Sequence, residues 1–202
     1  TLCLTAFAFA SAEGSGMKLG LQIDTTIAKS KDAGDTDGMA QVDSVAAAVL
    51  VDAEGKLADV AIDAIQSQLP FTATGTLGAE FPTEFMTKVE IGADYGMAAV
   101  SPIGKEWFEQ IAALEAYLIG KTVDEIKGLE MTESGTAADP DLMAGCTIHI
   151  GEFTAPVIAA MEKAVDCAAN AGDKVGLGIT SSASKSKDAM DGKDGQCQAY
   201  SF

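Results

Sequence analysis

The sequence predicts an α+β fold in which an antiparallel β-sheet packs on two to three helices. Apolar and polar residues alternate in the N-terminal part of the chain, which indicates strands joined by hairpin turns. Amphipathic runs with capping residues follow in the C-terminal part, which indicates helices. Strands followed by helices favour a sheet that carries its helices on one side.

Three strands account for the predicted sheet. The first alternates between residues 19 and 25, and the second, Gln41–Val51, ends in a continuous apolar run typical of a central strand. The third is Leu57–Ile65, with one apolar and one acidic face. Between the last two, Asp52–Lys56 has the composition of a hairpin loop, in which Gly55 can take the left-handed position.

Three helices are predicted after the strands. The first spans Ile103–Ile119, with an apolar stripe of Trp107, Ile111, Leu114 and Leu118. The second begins with a capping box at Thr122–Glu125 and runs through Leu129. The third spans Ala155–Asn170, with Pro156 in its first turn.

An internal repeat is the firmest feature of the sequence. The segment Lys18–Ala33 returns as Lys174–Ala189, 156 positions later, and Gln41–Ser44 returns as Gln198–Ser201 after one additional residue. Residues 13–173 therefore read as one complete α+β repeat, and residues 174–202 as the truncated start of a second. We expect this second segment either to add an edge strand or to be poorly ordered.

The first residues predict export. Residues 1–12 are apolar, uncharged and end in alternating small residues, which is typical of a secretory signal-peptide remnant. We expect a secreted or cell-envelope, extracytoplasmic protein without an integral membrane segment, because no run of apolar residues is long enough to span a bilayer.

Charge narrows the ligands that this chain can bind. The formal net charge is −17, and all 13 basic residues are lysine. Such an acidic chain repels nucleic acid and anionic membrane surfaces. Without arginine, a bound phosphate needs backbone amides, lysine or a covalent bond.

Residues Asp141–Ile150 hold the candidate chemistry. The segment contains Cys146 and the only histidine, His149, so a nucleophile and its base are one hypothesis. The alternation of residues 147–150 instead favours a strand with a half-exposed histidine. A Cys146–Cys167 disulfide and buried free thiols are both left open, with Cys197 as the third cysteine, and no spacing fits a metal site.

The same segment resembles a known motif. Residues Asp141–Thr147 are similar to the D-x-x-S/T-G-A-T/S motif of the FMN-binding domain family, with Ala144 and Cys146 in place of its Ser/Thr and Ala. The hairpin at residues 49–60, the helix after residue 153 and the turn at residues 88–97 resemble further parts of that family, whose secreted members occur as tandem repeats on the surfaces of anaerobic Firmicutes.

The resemblance implies covalent FMN on Thr147, attached through a phosphodiester by a flavin transferase. Asp141, Gly145, Cys146 and His149 would surround it. The domain would then carry electrons between redox partner proteins and would have no catalytic residues of its own. The alternative is a cofactor-free structural or ligand-binding repeat of the cell envelope.

Overall fold

Three long antiparallel strands form the centre of the computed structural model, which describes residues 16–77, 82–190 and 193–201. They are β1 (Lys18–Thr26), β2 (Gly38–Val51) and β3 (Leu57–Phe71). A short strand, β4 (Val165–Asp166), pairs with the start of β1, so that the sheet order is β3-β2-β1-β4. The predicted α+β class is confirmed, and the apolar strand β2 is central as expected. The signal-peptide remnant predicted for residues 1–12 lies outside the described residues.

The hairpin between β2 and β3 forms as predicted. Gly55 has a φ of 79°, which a residue with a side chain rarely adopts. The Asp52 carboxylate accepts hydrogen bonds from the backbone N–H groups of Glu54 and Lys56, at 3.0 and 2.8 Å. The turn therefore satisfies its backbone groups locally and sets the register of the two longest strands.

The sheet has two differently covered faces. Its inner face, which includes Ala47, Val49 and Ile62, packs against the helices in the main core. The opposite side, here called the outer face, is defined by alternate residues of the three long strands: Leu19, Leu21, Ile23, Ala46, Ala48, Leu50, Asp59, Ala61, Asp63 and Ile65. Successive side chains of a strand point to opposite faces of the sheet. Both faces carry many apolar side chains, so other parts of the chain can pack on both.

Five α-helices are described: α1 (Lys88–Ile91), α2 (Trp107–Leu118), α3 (Val123–Lys127), α4 (Pro140–Met143) and α5 (Gly151–Glu162). All four predicted stripe residues of α2 are buried. This helix begins at Trp107, later than predicted, because Glu106 forms a capping box with Glu109. The predicted capping box of α3 is present, with the Thr122 side chain accepting from Glu125 N.

Helix α5 starts and ends earlier than its predicted range of Ala155–Asn170. It begins at Gly151, because Phe153 is buried and its ring packs edge-on against Trp107 at a centroid distance of 5.7 Å. Pro156 consequently lies inside the helix instead of in its first turn. The helix ends at Glu162, and the following residues pair with β1 as strand β4.

A glycine determines how closely α5 approaches the sheet. A Cβ atom at Gly20 would lie 2.1 Å from the carbonyl oxygen of Ala160. Only glycine fits at this point of β1, and the repeat preserves it as Gly176, where a Cβ atom would meet nothing within 4 Å. The backbone of α5 therefore lies directly on β1, which orients the loop that precedes the helix.

The C-terminal segment does not add the edge strand that was one of its two expected arrangements. Strand β5 (Ser181–Ser182) pairs with β6 (Tyr200–Ser201) in a separate two-stranded sheet, and does not extend the four-stranded one. Ile179 is buried against Ala46 and Ile65 of the outer face. The segment covers part of the outer face because packing its apolar side chains on the apolar side chains of that face removes both from water.

Candidate functional site

The candidate motif lies in an irregular segment between α4 and α5. Helix α4 begins with Asp139 as N-cap and Pro140 in its first turn, and ends at Met143 with Ala144 as C-cap. Residues 146–150 form no strand, so the strand predicted from their alternation is wrong. The apolar residues Ile148 and Ile150 still pack against the main core, which explains why the pattern imitates one.

Gly145 lets this segment lie against helix α2. A Cβ atom at Gly145 would come 2.8 Å from the Cβ atom of Ala113, which is closer than two carbon atoms can approach. Its N–H group and that of Cys146 both donate to the carbonyl oxygen of Leu142, at 2.9 and 2.8 Å. The turn is therefore closed by α4 and held at contact distance from α2.

Thr147 is attached to α2 by one side chain. The Gln110 Oε1 atom accepts hydrogen bonds from Thr147 N at 2.9 Å and from Thr147 Oγ1 at 3.0 Å. Gln110 is buried, whereas Thr147 is half-buried. The hydroxyl is thus held in a defined place at the edge of the core.

The hydrogen bonds of the Gln110 Nε2 atom fix the orientation of the side-chain amide. Its Nε2 atom donates to Ser101 Oγ at 3.2 Å and to the carbonyl oxygen of Lys105 at 3.0 Å. An amide nitrogen can only donate and an amide oxygen can only accept, so these acceptors leave Oε1 facing Thr147. The loop before α2 and the loop before α5 therefore meet at this glutamine.

A lysine provides positive charge at the same place. The Lys105 Nζ atom lies 4.0 Å from the position of a Cβ atom built on Gly145. Lys105 as a whole residue is half-buried. In a chain without arginine, this is a cation within reach of an anion on the segment.

Cys146 belongs to the core. Its side chain is fully buried. Burial raises the pKa of the Cys146 thiol, although the Ile148 N–H group and the charge of Lys105 oppose this shift. The thiol is therefore held in its neutral, unreactive form, whereas His149 is exposed. The structure does not place the two as a buried nucleophile and its base.

The two remaining predicted residues, Asp141 and His149, are exposed. Asp141 is exposed on α4, where its N–H group donates to the Asp139 carboxylate at 2.8 Å. The exposed ring of His149 lies beside Gly135, with Cγ 3.8 Å from a Cβ position built on that glycine. Of the five predicted site residues, Gly145, Cys146 and Thr147 thus form one contact region with α2, and Asp141 and His149 flank it.

The turn at residues 88–97 lies next to this region. The Lys88 ammonium group lies 5.1 Å from the ring centroid of Tyr95 and 5.2 Å from that of Trp107. Met97 lies beside Gln110, with its sulfur 3.5 Å from Nε2. The turn therefore forms a wall of the same region.

Sequence reasoning missed Gln110, Ser101 and Lys105. One signal was available, because Gln110 falls three residues after Trp107 and one before Ile111, within the buried stripe of α2. A polar side chain in an apolar stripe needs a hydrogen-bond partner, and that need marks it as a candidate.

The described part of the chain contains neither a disulfide nor a cluster of metal ligands. Cys146, Cys167 and Cys197 are free thiols, so the Cys146–Cys167 disulfide does not form. Residues 16–77, 82–190 and 193–201 contain no cluster of three or more histidine, cysteine or carboxylate side chains suited to a metal ion. Over the same ranges, no helix has the length and apolar character needed to cross a membrane.

Comparison with protein-family models, with curated proteins and with solved structures finds no match to this chain.

Proposed function

We propose that the chain is an extracytoplasmic domain similar to FMN-binding domains, and that Thr147 is its site of covalent flavin attachment. The observation that supports this proposal is the placement of the Thr147 hydroxyl. Thr147 is half-buried and its hydroxyl is fixed by Gln110. Two residues earlier, a Cβ position built on Gly145 lies 4.0 Å from the ammonium nitrogen of Lys105.

The hydrogen bonds of Thr147 fit a phosphodiester at its Oγ1 atom. A flavin transferase would form the Oγ1–P bond from a pyrophosphate-linked donor of FMN, breaking the pyrophosphate bond and releasing the nucleoside monophosphate. The Thr147 hydroxyl proton is lost in this step, and with it the 3.0 Å bond from Oγ1 to Gln110. The 2.9 Å bond from Thr147 N to the same oxygen does not involve the hydroxyl and is kept. The segment therefore stays attached to α2 after modification.

The local charge also fits a phosphate. A phosphodiester adds a negative charge to a chain that already has a net charge of −17. Lys105, whose Nζ atom lies 4.0 Å from a Cβ position built on Gly145, is a cation beside the same segment and offsets part of this charge. The exposed side chains of Asp141 and His149 flank the threonine and are accessible to a flavin transferase.

When bound, the flavin supplies one- or two-electron transfer. The residues of the chain would position the flavin. Gly145 allows the segment to contact α2 closely, and Gln110 holds Thr147. Cys146 is buried in the core next to them. Redox partner proteins are the electron donor and acceptor in this proposal, and the domain does not turn over a substrate.

A cofactor-free repeat module of the cell envelope is the second candidate. Residues 174–183, the start of the second repeat, pack on the outer face of the first one, with Ile179 buried against Ala46 and Ile65. Contacts between successive repeats are typical of repeat proteins, in which each repeat packs on its neighbours.

Co-expression with a flavin transferase distinguishes the two candidates. We expect a flavin absorption spectrum and a flavin-sized increase in intact mass, both lost in Thr147→Ala. Thr147→Ser keeps a hydroxyl and is the matched control that retains the modification. An unmodified mass for the wild-type chain, with a known transferase substrate modified in parallel, supports the cofactor-free module instead.

A further inference from the structure

Residues 174–180 lie on the outer face with the burial pattern of a strand. Val175 and Leu177 are half-buried and Ile179 is buried, whereas the four residues that alternate with them are exposed. A period of two is typical of an extended segment with one face on a core. Within residues 16–77, 82–190 and 193–201, however, this segment belongs to no strand ladder.

The centre of this segment has unpaired backbone groups. At its start, Val175 N donates to the Asp59 carboxylate at 2.8 Å. Among the residues that the structure describes, the N–H and C=O groups of Gly176, Leu177 and Gly178 have no hydrogen-bond partner. Unpaired backbone groups of an extended segment are a template for the pairing of another strand.

A groove of about 750 Å³ runs beside these unpaired groups. It is lined by Gly176–Gly178 and by Leu19 and Leu21 of the outer face. Leu21 remains 56% exposed and Leu19 44% exposed, so residues 174–180 leave much of this apolar surface open. Val165, which lies opposite Leu19 in β4, is 66% exposed and continues the same surface. The groove therefore combines free backbone groups with exposed apolar side chains.

The second copy of the repeat keeps the register of the first where it is paired. Thr25 lies opposite Ser44 in the first copy. Their equivalents in the repeat, Ser181 and Ser201, lie opposite each other in the second copy. The pairing of β1 is therefore a guide to what the unpaired part of the second copy binds.

That guide indicates an apolar strand as the partner. Gly176–Gly178 correspond to Gly20–Gln22 of β1. In the first copy, Gly20–Gln22 pair antiparallel with Ala47–Val49 of the apolar strand β2. Glycine in an extended segment also lets another backbone approach closely. A Cβ atom at Gly176 or Gly178 would meet nothing within 4 Å, so space for such an approach is present.

We propose that this groove binds an extended apolar peptide of a separate polypeptide by strand addition. The peptide backbone pairs with Gly176, Leu177 and Gly178, and its apolar side chains pack on Leu19 and Leu21. Because Asp173 lines the groove and the chain has a net charge of −17, basic residues flank the apolar part of the partner. This inference does not depend on flavin attachment.

The test uses a synthetic peptide with the sequence of residues 43–51 and two added lysines at each end, because this strand contains the partner of β1. Fluorescence anisotropy at physiological salt measures its binding to the full chain. We expect Leu21→Asp to weaken binding at least about tenfold, since its carboxylate would face the apolar side chains of the peptide. Leu19→Asp is a second change in the same wall. Val100→Asp, at a residue that is 83% exposed outside the groove, is the matched control and leaves the affinity unchanged.

N-methylation of the peptide distinguishes strand addition from apolar binding alone. Methyl groups on alternate backbone nitrogens block one edge of the peptide, and a second peptide carries them on the other edge with the same charge and side chains. We expect only one of the two to lose binding. Hydrogen exchange locates the contact, with protection of the amides of Gly176, Leu177 and Gly178 in the complex.

Circular dichroism verifies that each variant is folded. The proposal is overturned if the unmodified peptide does not bind the folded wild-type chain, or if the two N-methylated peptides bind equally well. It is also overturned if the protected amides lie outside residues 174–180, or if folded Leu21→Asp and Leu19→Asp chains both keep the wild-type affinity.

Discussion

Gln110 and Thr147 are 37 positions apart, and one oxygen of the glutamine accepts two hydrogen bonds from the threonine. The bonds are 2.9 Å from the backbone nitrogen and 3.0 Å from the hydroxyl. This pair joins the loop before α5 to the first turn of helix α2. The position of the candidate site depends on it, because Thr147 is the motif residue that these two bonds connect to α2.

The first prediction concerns that bond. Gln110→Leu leaves the Thr147 N–H group without its acceptor, so we expect the free energy of unfolding to fall by about 1–3 kcal/mol. Thr147→Val removes only the hydroxyl bond and is expected to cost about 1 kcal/mol. Urea denaturation of both variants measures the difference. A larger loss in Thr147→Val than in Gln110→Leu contradicts the assignment.

The second prediction concerns the contact between Gly145 and α2. Gly145→Ala forces a methyl group against Ala113 and is expected to destabilise the chain by about 1–3 kcal/mol. Gly34→Ala is the control, because a Cβ atom there meets nothing within 4 Å. In a double-mutant cycle, Ala113→Gly should recover part of the loss. Additive effects of the two changes show that the residues do not touch.

The third prediction concerns Glu115 of α2. Its Oε1 atom accepts a hydrogen bond from Ile62 N at 2.6 Å. Burial raises the pKa of the Glu115 carboxyl from 4.5 to about 7; Asp59 and Asp63 raise it further, while the Ile62 bond opposes the shift. The folded chain therefore binds this proton more tightly than the unfolded chain. The free energy of unfolding falls as the pH rises from about 4.5 to about 7, and the loss is complete above that range.

Glu115→Gln should remove this pH dependence, because the amide is neutral throughout. At pH 8 we expect the variant to be more stable than the wild-type chain by roughly 1–2 kcal/mol, a figure reduced for the partial exposure of the side chain. Chemical denaturation between pH 4 and pH 8 is the measurement. Glu133→Gln, at an exposed glutamate, is the control. Identical pH profiles for Glu115→Gln and wild type disagree with the prediction.

The fourth prediction concerns thiol reactivity. With a thiol reagent at neutral pH, the exposed Cys197 should be labelled first, and the buried Cys146 at least about a hundredfold more slowly. Peptide mass spectrometry after timed quenching separates the sites, and labelling in denaturant serves as the control for complete reaction. Fast labelling of Cys146 in the folded chain revives the hypothesis that it is a nucleophile.

Local signals predicted much of the fold. The strand β2, the turn at Gly55 and the capping box of α3 depend on residues within a few positions of one another, so they are visible in the sequence. The predicted buried stripe of α2 also agrees with the structure. The prediction of a strand at residues 147–150 was wrong. There Ile148 and Ile150 alternate with polar residues because both pack against the main core, not because the segment is extended in a sheet.

The candidate site was only partly predictable. Thr147 and Gly145 were selected through a motif, but their contact with α2 was not, because Gln110 and Ala113 are distant in the sequence. Helix α5 likewise begins at Gly151 because Phe153 packs on Trp107, a contact that no local rule contains.

The sequence by itself determined the α+β class, the acidic and arginine-free character of the chain and the internal repeat, since each follows from composition or short-range order. Only the tertiary structure decided that Gln110 holds Thr147 and that Ile179 docks on Ala46 and Ile65. The physical reason is that hydrogen bonding and apolar burial between distant segments depend on which faces meet, and those faces meet only when the whole chain is packed.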